Sequence, residues 1–170
     1  MSAAALRPGW KRSLRRLALA AMILLAGCGF QLQGRRPMPA ALKVTCVISP
    51  DDQTDFVQDL RKDLLISGSR LTPEKQEASA VVEIVHDQVV ERVVSVSAQN
   101  LPREYELTHT VRFRVTSGDQ TLLELQELNG TRNYSFDETR LLAKQNEESI
   151  LRQALAADLA NVVMRRLSRL

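Results

Sequence analysis

The chain has 170 residues, with 23 Lys and Arg against 20 Asp and Glu for a net charge of +3, and 44% hydrophobic but only 4% aromatic residues. That length supports one ordinary domain with a single core. The first 27 residues hold five cations and no acids, so the remainder of the chain is close to −2, and the basic pI of about 9.1 gives a nucleic-acid partner no support.

Arg7, Lys11, Arg12, Arg15 and Arg16 precede an apolar stretch from Leu17 to Ala26. A basic region followed by a short apolar run is the order of a secretory signal, and the run is about half the roughly 20 residues needed to cross a bilayer. Leu25-Ala26-Gly27-Cys28 closes it. This tetrad resembles the lipobox of bacterial lipoproteins, which implies a lipoprotein signal peptide over 1–27, cleavage before Cys28, and acyl chains on its sulfur and new amino group. Gly29 stands where an aspartate retains many lipoproteins in the inner membrane, so the resemblance favours the outer membrane. Cys46 is then left alone, and it reads as a small buried hydrophobe on a strand.

Residues 28–41, with Gly34, Pro37 and Pro39, read as an extended tether. Residues 42–170 read as one domain. Leu42, Val44, Cys46 and Ile48 alternate with Lys43 and Thr45 as a half-buried strand. Ser49-Pro50-Asp51 resembles a helix start, Phe56, Val57, Leu60 and Leu64 come after it at helical spacing, and Gly68 offers a stop. Leu71 to Ser79 reads as a polar loop. Ala80, Val82, Ile84, Val90, Val94 and Val96 share one parity of a long β-branched run, with Glu83, Asp87 and Glu91 on the other. His86, Asp87 and Gln88 interrupt it, where a bend or bulge is expected.

Tyr105, Leu107, His109, Val111, Phe113 and Val115 then alternate with polar residues in the clearest strand of the chain. A hairpin at Ser117 to Gln120 leads into a last strand through Leu123, Leu125, Leu128, Gly130, Arg132 and Tyr134. Asp137 and Glu138 open a final helical region that ends in Arg165, Arg166 and Arg169, the order favoured by the helix dipole. Leu151, Leu155, Leu159, Val162 and Val163 mark its apolar face. These elements predict a two-layer α+β fold, a mixed four-stranded sheet with two helices packed on one face. The other face, with Arg112, Arg114 and the glutamates, is then polar and open.

Nothing in the chain argues for an enzyme, and no cofactor is expected. Gly-rich phosphate loops, Gly-x-Ser-x-Gly and Cys-x-x-Cys are all missing from the sequence. His86 and His109 lie in neighbouring strands and could join Asp87 or Glu83 around a metal. Two strand histidines fall short of the four ligands of a structural zinc site, so no metal is expected. Lys144 followed by Glu147 and Glu148 reads, taken alone, as helix-surface ion pairing.

Three stretches carry a wider resemblance. They are Gly27-Cys28-Gly29-Phe30-Gln31-Leu32-Gln33-Gly34, Glu104-Tyr105 opening a strand, and Leu142-Ala143-Lys144-Gln145-Asn146-Glu147 near the start of the last helix. In this order and spacing, across nearly all of residues 28–170, they resemble the lipopolysaccharide-assembly lipoprotein family LptE, also called RlpB. The resemblance implies a noncatalytic outer-membrane lipoprotein that plugs and helps assemble the LptD β-barrel, binds lipopolysaccharide and assists its delivery to the outer leaflet. Lys144 matches one basic position through which the family meets lipopolysaccharide. The other falls near Ala98, where no basic residue stands, and Arg103 is the replacement offered by the same loop; Arg132 is a weaker third candidate. The alternative is a binding module of another cell-envelope complex that shares only this architecture.

Overall fold

A computed structural model describes residues 38–135 and 141–170, the side chains of 141–145 excepted. All of them lie in the second of two compact units, Arg35–Leu170. The signal, Cys28, most of the tether, and Asp137 with Glu138 lie outside the described residues.

The chain enters through a 3-10 turn at Ala40–Leu42 and forms β1 (Val44–Ile48), α1 (Asp55–Ile66), β2 (Arg70–Leu71), a second 3-10 turn (Lys75–Glu77), β3 (Ala80–Val96), β4 (Pro102–Ser117), β5 (Gln120–Ser135) and α2 (Leu141–Leu167). The sheet order is β2-β1-β3-β4-β5, with β1 parallel to both neighbours and the other pairs antiparallel. The fold class is therefore α+β with a mixed sheet and two helices, but the sheet has five strands rather than the expected four. The extra strand is β2, Arg70–Leu71, which overlaps the start of the segment read as a loop from Leu71 to Ser79. Two residues are too few to show alternation, yet Arg70 N donates to Lys43 O at 2.9 Å and Thr72 N to Thr45 O at 3.1 Å.

The phase of β1 also differs from the expectation, because both of its faces are covered, one by the helices and the other by the connection that follows β2, so alternation fails as a guide. Val47 joins the main core, Thr45 is buried, and Cys46 lies buried with its Sγ 3.6 Å from Pro73 O. Ile48, expected on the same face as Cys46, is exposed.

Helix α1 begins five residues later than the sequence suggests, with Thr54 rather than Ser49 before its first turn. Asp51 Oδ1 accepts from Gln53 N at 2.8 Å, closing a side-chain turn that competes with helix. Thr54 is the cap, its hydroxyl accepting from Val57 N at 3.3 Å. Phe56, Val57, Leu60 and Leu64 are fully buried. Gly68, at φ +95°, turns the chain out of the helix while Ser69 N donates to Leu64 O at 3.0 Å.

Helix α2 places Leu159, Ala160, Val163, Met164 and Leu167 in the same core as α1, Val82, Ile84, Val111 and Phe113, which puts both helices against one sheet face. Leu107, Tyr134 and Leu155 form a second cluster. Strand β5 meets α2 closely at Gly130: a Cβ built there would stand 3.0 Å from Leu155 Cδ2, so any larger residue displaces the helix side chain.

The interruption in β3 is a register shift between Ile84 and His86. It inverts the strand's phase: before it Val82 and Ile84 meet the helices, and after it Val90 is exposed on the open face; Val94 and Val96, at further shifts between Val93 and Val96, are exposed as well. Asp87 comes to lie opposite Val111, and Glu91 opposite Leu107, on the covered face. A second shift, between Phe113 and Val115, does the same to β5, leaving Leu123 against the core and Leu125 exposed.

Candidate functional site

The sheet face away from the helices is largely polar, as expected, and several of its charges are matched in pairs. Arg114 donates to both carboxylate oxygens of Glu83, at 2.8 and 3.0 Å. Those bonds hold the Glu83 carboxyl below its usual range, against a smaller opposing effect of burial. Arg92 pairs with Glu106 at 2.6 Å, Ser95 donates to Glu104 at 2.9 Å, and Thr110 to Asn129 at 2.8 Å. Cross-strand pairing of this kind gives a face that is wet and nearly neutral.

The three basic residues drawn from the sequence are not brought together. Lys144 lies in the first turns of α2, and its side chain is outside the described part of the molecule. Arg103 is exposed at the start of β4 and has no salt-bridge partner among the described residues. Arg132 lies opposite Leu107, about 13 Å along the strand from Arg103 at 3.3 Å per residue. Its guanidinium meets Asp158 of α2 at 2.6 Å, so its charge is already matched.

Beneath the helices is a polar cluster of which the sequence raised only the nearness of Asp87 and His109, as part of a metal site, and not the link to Thr54. Asp87, carried inward by the bulge, receives the Thr54 hydroxyl on Oδ2 at 2.5 Å and meets His109 Nε2 at 2.6 Å on Oδ1. The Asp87 and His109 side chains are 6% and 3% exposed. A carboxylate that takes both bonds assigns the ring proton to Nε2, and Nδ1 has no partner. Phe56 meets the imidazole edge-on at 6.0 Å.

The members resemble a catalytic triad only in type. Thr54 bonds the aspartate rather than the histidine, and its hydroxyl also caps α1, so no nucleophile faces the imidazole as base-assisted attack requires. A cavity of about 340 Å³ adjoins the cluster, lined by Asp55, Arg152 and Ala156 besides the cluster itself. The cluster's evident effect is to tie the cap of α1 to β3 and β4.

Other candidates are placed plainly. His86 lies opposite Arg112 on the open face and His109 is buried on the other, so the two histidines do not converge. Among the described residues no three His, Cys, Asp or Glu gather as a metal site. Burial pushes the Cys46 thiol upward, against reactivity. Tyr134 stacks on Tyr105 at 5.4 Å and donates to Glu91 at 2.6 Å; burial first, then that bond, drives its phenol far above the ordinary value. The parity break at His86 to Gln88 was the one sequence signal for Asp87 and Glu91 turning inward. Among the described residues no helix is long and apolar enough to cross a membrane.

Comparison with known proteins agrees with this geometry. The family model for LptE, lipopolysaccharide-assembly, matches residues 41–167. The chain is 26% identical over 147 residues to the LPS-assembly lipoprotein LptE of Photorhabdus laumondii, covering 86% of this chain and 80% of that one. It is 24% identical over 149 residues to the protein of the same name from Pectobacterium atrosepticum, with the same coverages. In three dimensions it is similar to an uncharacterized lipoprotein B of Nitrosomonas europaea, with TM-score 0.69, 25% identity, and coverage of 82% of this chain and 90% of that one. A minor lipoprotein of Acinetobacter baumannii shares the fold at TM-score 0.64 and 21% identity, over 77% of this chain and 94% of that one. A match from the last tether residue to the end of α2, on a sheet whose open face is polar and whose buried polar cluster has no catalytic arrangement, makes this chain a member of the LptE lipopolysaccharide-assembly lipoprotein family.

Proposed function

We propose that the protein acts without catalysis, as an outer-membrane lipoprotein held by acyl chains on Cys28 and facing the periplasm. It plugs and helps assemble an LptD-type β-barrel, and it binds lipopolysaccharide on the way to the outer leaflet. The family match over residues 41–167 carries this reading. The paired charges of the open face support it, because large outer-membrane barrels have polar interiors that a wet, near-neutral surface suits. One acyl chain binds membranes marginally, and two or three hold firmly.

Lipid A phosphates suit lysine and arginine. We assign their contacts to Lys144 and Arg103, with Arg132 third because Asp158 already holds it. Affinity purification of the tagged full chain from outer membranes tests the reading: a large β-barrel is expected to co-purify. Recovery of a different envelope complex would favour the general binding module. Charge reversal at both Lys144 and Arg103 is expected to weaken lipopolysaccharide binding with the fold intact, and unchanged binding would remove both as contacts.

A further inference from the structure

Strand β3 has a neighbour on both sides for only the first part of its length. β1 lies beside it from Ala80 to Glu83 and stops at Ile48, whereas β4 follows its other side to Val96. Past Glu83, among the described residues, no strand lies along the outer side. The pairing with β4 runs without a shift from His86 to Val93, between the irregularity at Ile84/His86 and those that lead into the β3–β4 hairpin end. This stretch is therefore regular strand with one side open. Asp87 shows that its main chain is reachable: the side chain is 6% exposed, yet the residue as a whole is half-buried, so what meets solvent is backbone.

An open edge is a template for another strand, and folded proteins blunt such edges. On β5, the other long edge strand, side chains turn back onto the backbone. The Gln126 amide donates to Glu124 O and Leu125 O at 3.2 and 3.5 Å, and Arg132 to Thr131 O at 3.2 Å. On β3, among the described residues, no side chain turns back onto the backbone of Val89, Val90 or Val93. The carboxylates and the guanidinium of the stretch are already engaged: Asp87 by Thr54 and His109, Glu91 by Tyr134, and Arg92 by Glu106.

These features define what the edge takes. Main-chain groups at strand spacing accept an extended chain, with affinity from backbone hydrogen bonds and selectivity from alternate side chains. Val90 on the open face and Val93 on the helix-bearing face are 48% and 47% exposed, so aliphatic neighbours are offered on both sides of the incoming strand. With the charges engaged, a largely uncharged, β-branched segment fits best. It would continue the line that β1 begins, past Ile48 and Val85, which are 39% and 40% exposed where β1 stops.

We infer that the outer edge of β3, from His86 to Val93, takes an extended and largely uncharged segment of the barrel partner as a further strand of the sheet, inside the barrel. The inference rests on the plug role proposed above and adds how the domain is gripped there.

Backbone hydrogen exchange reads the edge directly. The full chain is made in a Gram-negative host with and without the barrel and purified in detergent. On joining the barrel, the outward amides of residues 86–93 are expected to slow by about tenfold or more, as new hydrogen bonds require. The outer edge of β5, over residues 124–132, is expected to exchange as in the free chain. Val90→Lys together with Val93→Lys, which sets cations along the edge, is expected to lower barrel recovery about tenfold while the urea midpoint of the free chain is kept. Unchanged exchange at 86–93 in the complex, equal slowing at both edges, or full barrel recovery with the two lysines would each overturn the inference and leave the plug role standing. Absence of any co-purifying barrel would overturn both. A free chain that is dimeric, with these amides already slow, would give the edge to a second copy and overturn the barrel segment.

Discussion

Thr54 and Asp87 are 33 positions apart in the chain, yet the threonine hydroxyl sits 2.5 Å from the aspartate carboxylate, joining the cap of α1 to the bulge of β3. His109 meets the other oxygen of the same carboxylate. One buried charge thus fastens a helix and two strands.

Removing a partner from this carboxylate is therefore costly. His109→Ala leaves Asp87 buried with the Thr54 hydroxyl as its remaining partner, and the loss is expected at about 3–5 kcal/mol, as for broken buried pairs. Thr54→Val, which removes the cap and a neutral donor, is expected to cost about 1–2 kcal/mol. Urea unfolding reads both as a lowered midpoint. A loss below about 1 kcal/mol for His109→Ala would show that the cluster does not fasten these elements.

Gly130 tests the contact of β5 with α2. Gly130→Ala forces Leu155, 1% exposed and clustered with Leu107 and Tyr134, to move from a Cβ at 3.0 Å. The expected loss is about 1–3 kcal/mol, the range for overpacking. Leu155→Ala in the same chain makes room, so the two changes together are expected to cost less than the sum of each alone. Thermal unfolding of the four proteins decides it, and simple additivity would argue against the clash.

Tyr134 predicts an alkaline effect of definite sign. Its phenol is raised above the ordinary value of about 10, by burial and then by the bond to Glu91. The stability this contributes is complete below that ordinary value and is lost as pH climbs above it, because the unfolded phenol ionises first. Tyr134→Phe is expected to be less stable at neutral pH by about 1.5–3 kcal/mol, the range for a hydrogen bond to a charged acceptor. Its unfolding midpoint should fall less between roughly pH 9 and 11 than that of the parent. Parallel slopes over that interval would rule out the assignment.

Cys28→Ala tests the anchor. Mass spectrometry of the full chain made in a Gram-negative host is expected to show lipid mass and cleavage before Cys28 in the parent, and an uncut, unlipidated precursor in the variant. Cleavage elsewhere would refute the tether proposed for residues 28–41.

How much of this was legible in the sequence differs from strand to strand, for physical reasons. Strand β4 was read correctly from Tyr105 to Val115, because it keeps an unbroken phase with one face covered and the other open. Strand β1 misled because both of its faces are buried, so Val47 reached the core where Cys46 was expected. The bulge in β3 was visible as an interruption, but counting through it left Asp87 and Glu91 on the polar face. Its real effect, turning them inward toward Thr54, His109 and Tyr134, depends on partners far away in the chain. Arg103 and Lys144 came from resemblance rather than pattern, since a lone exposed cation leaves no periodic trace.

The chain enters the sheet at Val44, and Thr45 lies beside Ala80 at the start of β3; the hairpin end lies at the finish of that same strand, 17 residues long. At about 3.3 Å per residue the two ends are roughly 50 Å apart. A whole bilayer with its headgroups measures about 40–45 Å. Strand β3 alone therefore has the reach of a full membrane thickness, and the fold carries that length without any part of it having to move.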